Sequence, residues 1–114
     1  STENIPIKVV VFNNGNHGMV RQWQKIFYNS KFSASELTHH TPDYVKLAES
    51  MGAVGLRMTK KDDVKKIFTE MLNINDKPVL IDCVVDPDDM VFPMVPAGGS
   101  NDQIIMNKED LKQL

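Results

Sequence analysis

Cysteine is almost absent: Cys83 stands alone in 114 residues, so no disulfide can close within the chain. Its place in the apolar run Val79-Leu80-Ile81-Asp82-Cys83-Val84-Val85 predicts a buried, unreactive thiol, and the scarcity points to an intracellular setting. An excess of one charge is missing too. A net charge of -2 with 25% charged residues offers neither the basic surface that nucleic acid demands nor the acidic tail of a disordered chain. No apolar run reaches membrane-spanning length, and Ser1-Thr2-Glu3-Asn4 has neither a basic region nor an apolar targeting core. Neither a nucleic-acid partner nor a membrane is expected. There is no repeat, low-complexity tract or heptad, which excludes repeat arrays and long coiled coils. His39, His40 and Cys83 have no zinc-ligand spacing.

The length suits one compact domain and is short for two ordinary ones. Residues 7–12 form a β-branched run that reads as a buried strand, closed by the amide- and glycine-rich stretch 13–18. From 19 to 28, Met19, Val20, Trp23, Ile26 and Phe27 recur at helical spacing with Arg21, Gln22, Gln24 and Lys25 between them, so one face should pack. A polar loop is predicted over 33–41, then a helix capped by Thr41 with Pro42 in its first turn and Gly52 as its stop. Residues 54–58 read as a strand, Thr59 as the cap of a helix through Leu72, and 78–85 as a third strand, nearly all apolar as in a sheet covered on both faces. Strand-helix-strand logic recurs three times. The pattern predicts an α/β fold, mainly parallel, in two parts: 1–86, and a tail over 87–114. Three strands alone leave sheet edges exposed, as expected of a domain excised from a larger one.

The chemistry centres on Asn13, Asn14, Asn16 and His17, where a strand runs into a turn and then a helix. Ligands of mostly parallel sheets dock outside the carboxyl ends of the strands, where loop carbonyls and helix amides converge. Asparagine and backbone oxygens suit Mg²⁺, and helix-start amides suit diphosphate. Mg²⁺ also favours a carboxylate, which this loop lacks, so that ligand must come from elsewhere. By their spacing alone the same residues better suit a plain Asn/Gly turn whose side chains cap its own backbone. His17 fits a phosphate contact or an exposed turn histidine. Met19 and Trp23, four apart, share a helix side and suit either a ligand wall or core packing. Asp86, Asp88 and Asp89 around Pro87 suit a solvated turn rather than paired-acid catalysis.

Several separated blocks, in order, carry a family resemblance: Ile5-Pro6-Ile7-Lys8-Val9-Val10-Val11-Phe12-Asn13-Asn14, Gly18-Met19-Val20-Arg21-Gln22-Trp23-Gln24, Pro42-Asp43-Tyr44 with Leu47-Ala48, and Pro93-Met94-Val95-Pro96 with Gly98-Gly99. Across nearly its whole length the chain resembles the C-terminal end of the thiamine-diphosphate domain of acetohydroxyacid synthase, also called acetolactate synthase. The resemblance implies a partial three-layer α/β/α thiamine-diphosphate-binding fold with a tail that covers the active site. It implies that the Asn14 side chain and the Asn16 carbonyl bind Mg²⁺. It places Asn14, Asn16, Gly18 and Met19 at the cofactor, and Met19, Val20 and Trp23 at the substrate, with Trp23 favouring the larger second 2-oxo acid. Met94, Ala97 and Gly98 would belong to the closing tail. No residue of this chain is implied as a proton-transfer catalyst.

The implied reaction decarboxylates pyruvate on thiamine diphosphate and transfers the two-carbon unit to pyruvate or 2-oxobutyrate, in branched-chain amino-acid biosynthesis. The family's metal carboxylate in a Gly-Asp-Gly segment, its cofactor-activating glutamate and its FAD-holding middle domain do not occur in these residues. The isolated chain is therefore expected to be inactive, and its partners to be the remainder of the catalytic subunit, a homodimer or tetramer mate and a regulatory subunit. The setting would be cytoplasmic in a prokaryote and organellar in a eukaryote. A noncatalytic fold or assembly module descended from such an enzyme is the alternative.

Overall fold

The computed structural model describes residues 3, 5–37 and 39–113. Thr38, in the predicted 33–41 loop, and residues 1, 2, 4 and 114 lie outside the described residues. The chain divides into two compact units: residues up to Asn16 with Leu37–Pro87, and His17–Glu36 with 88 to the carboxyl end.

The first unit is built on β1 (Lys8–Asn13), β2 (Val54–Met58) and β3 (Val79–Val84), one parallel sheet in the order β1-β3-β2. β3 is central because it alone can be covered on both faces and both edges, which explains its near-continuous apolar sequence. Val79 and Ile81 are almost wholly inaccessible and Cys83 is buried, as the sequence predicts for the thiol. The connection from β1 to β2 moves two places across the sheet, and that from β2 to β3 returns one place. Right-handed crossovers in opposite directions put their helices on opposite faces. The helices obey this rule. Ile67, Phe68 and Met71 of one helix pack with Val10, Leu56, Met58, Ile81 and Cys83 on one face, while Leu47, Ala48 and Met51 of the other gather with Val9 and Leu80 on the reverse face. The result is an α/β fold with three parallel strands and a helix layer on each side. Three strands allow two crossovers rather than three, because the helix after β1 leads to another helix without an intervening strand.

Numbered in chain order, the helices are α1 (Gly18–Phe27), α2 (Tyr44–Ser50) and α3 (Val64–Asn73). Two caps differ from expectation. Asp43, not Thr41, caps α2: its carboxylate accepts from the amides of Val45 at 3.1 Å and Lys46 at 3.3 Å. Pro42 therefore precedes the cap, and the Thr41 hydroxyl donates to the Leu37 carbonyl at 2.7 Å. Thr59 does not cap α3, because a 3₁₀ turn over Lys61–Asp63 intervenes before the helix. Gly55 is fixed by packing: a Cβ there would lie 2.6 Å from the Val45 carbonyl oxygen, so α2 meets β2 only over glycine. β1 is a sheet edge on which Phe12 is 74% exposed, as expected of a sheet with an uncovered edge.

The second unit is α1 with the loop after it and the chain beyond Pro87. Its regular structure outside α1 is slight: 3₁₀ turns at Asn101–Gln103 and Asp110–Gln113, and an antiparallel bridge between Met94 and Ile105. Among the described residues no helix is long and apolar enough to cross a membrane.

Candidate functional site

The turn after β1 is built from its own asparagines. Asn13 Oδ1 accepts from the Gly15 amide at 3.0 Å, and Asn14 Oδ1 accepts from the Asn16 amide at 3.0 Å. Asn16 Nδ2 donates back to the Asn14 carbonyl at 2.6 Å. Two overlapping Asx turns result, with Gly15 at φ 67° between them. The self-capping property foreseen for these residues is thus present. It does not exhaust them, since a carbonyl oxygen holding one hydrogen bond retains a second lone pair.

Behind the turn lies a charged chain that sequence reasoning missed. Asp82 is 2% exposed on the central strand, in register with Val11 and Arg57. Asn13 Nδ2 donates to its Oδ1 at 2.9 Å, and Arg57 Nε donates to its Oδ2 at 3.1 Å. Arg57 also donates through a terminal nitrogen to Asp43 Oδ1 at 2.7 Å. The hydrogen bond from the Lys46 amide, helped by the Arg57 guanidinium, holds the Asp43 carboxyl below its ordinary range. Asp82, above all, raises the Arg57 pKa. A buried carboxylate costs several kcal/mol to desolvate unless paired, and both Asp82 oxygens have charged or amide donors. The signal was available: one aspartate in an apolar strand needs a partner. Asn13, Asn14, Gly15, Asp43, Arg57 and Asp82 line an open recess of about 530 Å³ at the carboxyl end of the sheet.

The second unit carries the other predicted site residues. The His17 amide donates to the Ser35 carbonyl at 2.8 Å, and its exposed side chain does not cap α1. α1 has no acidic residue in its first turn, which leaves its amino end free of competing carboxylate from the helix itself. Gly18 is exposed, Met19 and Val20 are 51% and 50% exposed, and Trp23 is half-buried with its ring 5.2 Å from that of Phe27. A recess of about 410 Å³ in this unit is lined by Gln24, Phe27, Tyr28, Asn29, Lys31 and Ser33, not by Met19 or Trp23.

Gln22 is buried, although helical spacing sets it among the polar residues of α1. Its amide clasps the tail: Oε1 accepts from the Val91 amide at 2.8 Å, and Nε2 donates to the Val91 carbonyl at 3.0 Å and meets Met94 Sδ at 3.2 Å. Arg21 and Lys25 reach Asp88 at 2.6 and 2.8 Å. Lys25 first, then Arg21, hold the Asp88 carboxyl down at about 2. Met94, half-buried, is thereby fixed to α1, while Ala97 and Gly98 are exposed. His39 and His40 are exposed, and no group of three or more His, Cys, Asp or Glu side chains among the described residues is placed to hold a metal.

A family model for the thiamine pyrophosphate enzyme, C-terminal TPP binding domain, matches residues 1–83. Acetolactate synthase of Mycobacterium bovis is 50% identical over 107 residues, which cover 91% of this chain and 17% of that protein. The acetolactate synthase large subunit of Corynebacterium glutamicum is 45% identical over 107 residues, with the same coverage. The large subunit of acetolactate synthase isozyme 2 of Escherichia coli is 39% identical over 101 residues, 89% of this chain and 18% of that protein. The chain thus spans about a sixth of the length of the relatives it matches. With residues 1–83 matched, a three-stranded parallel sheet and half-identity to acetolactate synthase, the chain belongs to the family of C-terminal TPP-binding domains of thiamine pyrophosphate enzymes.

Proposed function

We propose that this chain is the C-terminal part of the thiamine-diphosphate domain of an acetolactate synthase catalytic subunit, divided into a sheet portion over 1–86 and a covering tail over 87–114. The observation that carries it is the Asn14–Asn16 turn at the carboxyl end of a parallel strand, in a chain half-identical to an acetolactate synthase.

The donor chemistry fits Mg²⁺ in part. Asn14 Oδ1 holds one hydrogen bond and keeps a lone pair, and the Asn16 carbonyl is a second hard oxygen. Asp82 is buried at 2% exposure and held by Arg57 and Asn13, so we assign the carboxylate that Mg²⁺ favours to a residue outside this chain. Gly18 and Met19 stand in the first turn of α1, whose amides suit diphosphate oxygens. Met19, Val20 and Trp23 offer apolar surface that excludes water and sizes the space for the second 2-oxo acid. When bound, thiamine diphosphate supplies the carbon nucleophile and electron sink for decarboxylating pyruvate. Acceptors are pyruvate and 2-oxobutyrate, giving acetolactate or acetohydroxybutyrate.

FAD belongs to the intact enzyme and has no assigned residue here. Partners are the rest of the catalytic subunit, a homodimer or tetramer mate and a regulatory subunit, in the cytoplasm of a prokaryote or an organelle of a eukaryote. The test is product analysis on the full-length protein supplied with pyruvate and 2-oxobutyrate. The unaltered protein should form both products, and Trp23→Leu should shift their ratio toward acetolactate. An unchanged ratio would remove Trp23 from the acceptor site, and no product with either acid would overturn the assignment in favour of a noncatalytic module.

A further inference from the structure

We propose that Asp82 is a positioning residue for the cofactor-binding turn, acting through Asn13; the inference rests on the metal-clamp assignment above. The route is continuous. An ionised carboxylate only accepts hydrogen bonds, so Asp82 Oδ1 admits only the Nδ2 end of the Asn13 amide. That fixes the other end, Asn13 Oδ1, toward the Gly15 amide, and Gly15 is the pivot before Asn16. The neighbouring Asn14 then takes the Asn16 amide in the second Asx turn. Arg57 holds the remaining Asp82 oxygen and so keeps the carboxylate from rotating away from Asn13.

Packing alone gives no reason for a charge here. On the sheet face that Asp82 shares, its β3 neighbours Leu80 and Val84 are apolar, and replacing a buried ionic contact by apolar side chains is commonly no less stable. The charge sits where the strand end meets the ligand-bearing turn, and it lines the same recess as Asn13 and Asn14.

The experiment uses the full-length protein and reads two quantities: Mg²⁺ affinity at saturating thiamine diphosphate, by calorimetry, and urea unfolding of the cofactor-free protein. Asp82→Asn offers one good acceptor to two donors, Asn13 and Arg57, and is expected to weaken Mg²⁺ binding on the order of tenfold, the scale on which groups supporting a metal ligand act. Adding Arg57→Leu removes the competing donor and should restore most of that affinity, which a purely structural loss would not do. Should Asp82→Asn fail to fold, Asn13→Ala breaks the same link while leaving Arg57 and Asp82 paired, and should weaken Mg²⁺ to a similar degree. Asn14→Ala is the reference. If it weakens Mg²⁺ while the Asp82 and Asn13 variants lose only stability, the positioning role is overturned and the clamp stands. If Asn14→Ala leaves the affinity unchanged, the clamp falls and the positioning role falls with it.

Discussion

The two units of this chain are held by different means. The sheet unit depends on inaccessible aliphatic side chains around β3 and one buried, fully partnered carboxylate. The α1 unit has little regular structure beyond one helix and is fastened by side-chain amides and charges: Gln22 on Val91, Gln24 on Ser33 and Ser35, and Arg21 and Lys25 on Asp88. The difference matches the proposed tasks. Metal ligands need a support that does not yield, whereas a substrate wall and covering tail need accessible apolar groups such as Met19 and Val20.

Changing the centre of each unit sharpens the contrast. Ile81→Ala leaves a cavity in the fully enclosed middle of β3, and urea unfolding should show a loss of about 2–5 kcal/mol. A loss below about 1 kcal/mol would mean that the sheet unit collapses onto the gap and is less rigid than described. In the other unit, Gln22→Ala removes the side-chain bonds to the Val91 amide and carbonyl, and because Val91 is exposed the expected cost is about 0.5–1.5 kcal/mol. Its local signature is faster hydrogen exchange at the Val91 amide with β3 unaffected; equal acceleration in β3 would mean that the units do not open separately.

The smallest expected effect concerns Asp88. Its carboxyl, pulled down from 3.8 to about 2 by Lys25 and Arg21, has a folded-state value below its unfolded one. Its contribution is therefore present above pH 3.8 and lost as pH falls through about 2. Asp88 is half exposed, so solvent screens the pair and the contribution is slight. Asp88→Asn should flatten the acid limb of tail opening in that window and leave exchange at neutral pH nearly unchanged; an unaltered acid limb would remove the ion pair from the account.

The same contrast explains what was legible in the sequence. β2 was expected over 54–58 and is found at Val54–Met58, because a short, mostly apolar run between Gly52 and Thr59 is a local signal. The asparagine turn was legible because its hydrogen bonds span only two residues. Gln22 and Asp82 were not, since their partners lie 25 to 72 residues away and periodicity records only a residue's own face. Asp43 displaced Thr41 as the cap of α2 for a related reason: Arg57, distant in sequence, steadies the carboxylate that takes the helix amides. A short apolar run such as that of β3 predicts a strand; the one charge within it predicts a partner without naming it.

The most direct test of the central claim, that the Asn14–Asn16 turn holds the metal of a thiamine-diphosphate site, is a calorimetric titration of Mg²⁺ into the full-length protein at saturating thiamine diphosphate, comparing Asn14→Ala with the unaltered chain. The account predicts binding weaker by about 100-fold, the upper end of the loss seen when a group that merely supports a metal ligand is removed. Equal affinity in the two proteins would contradict it.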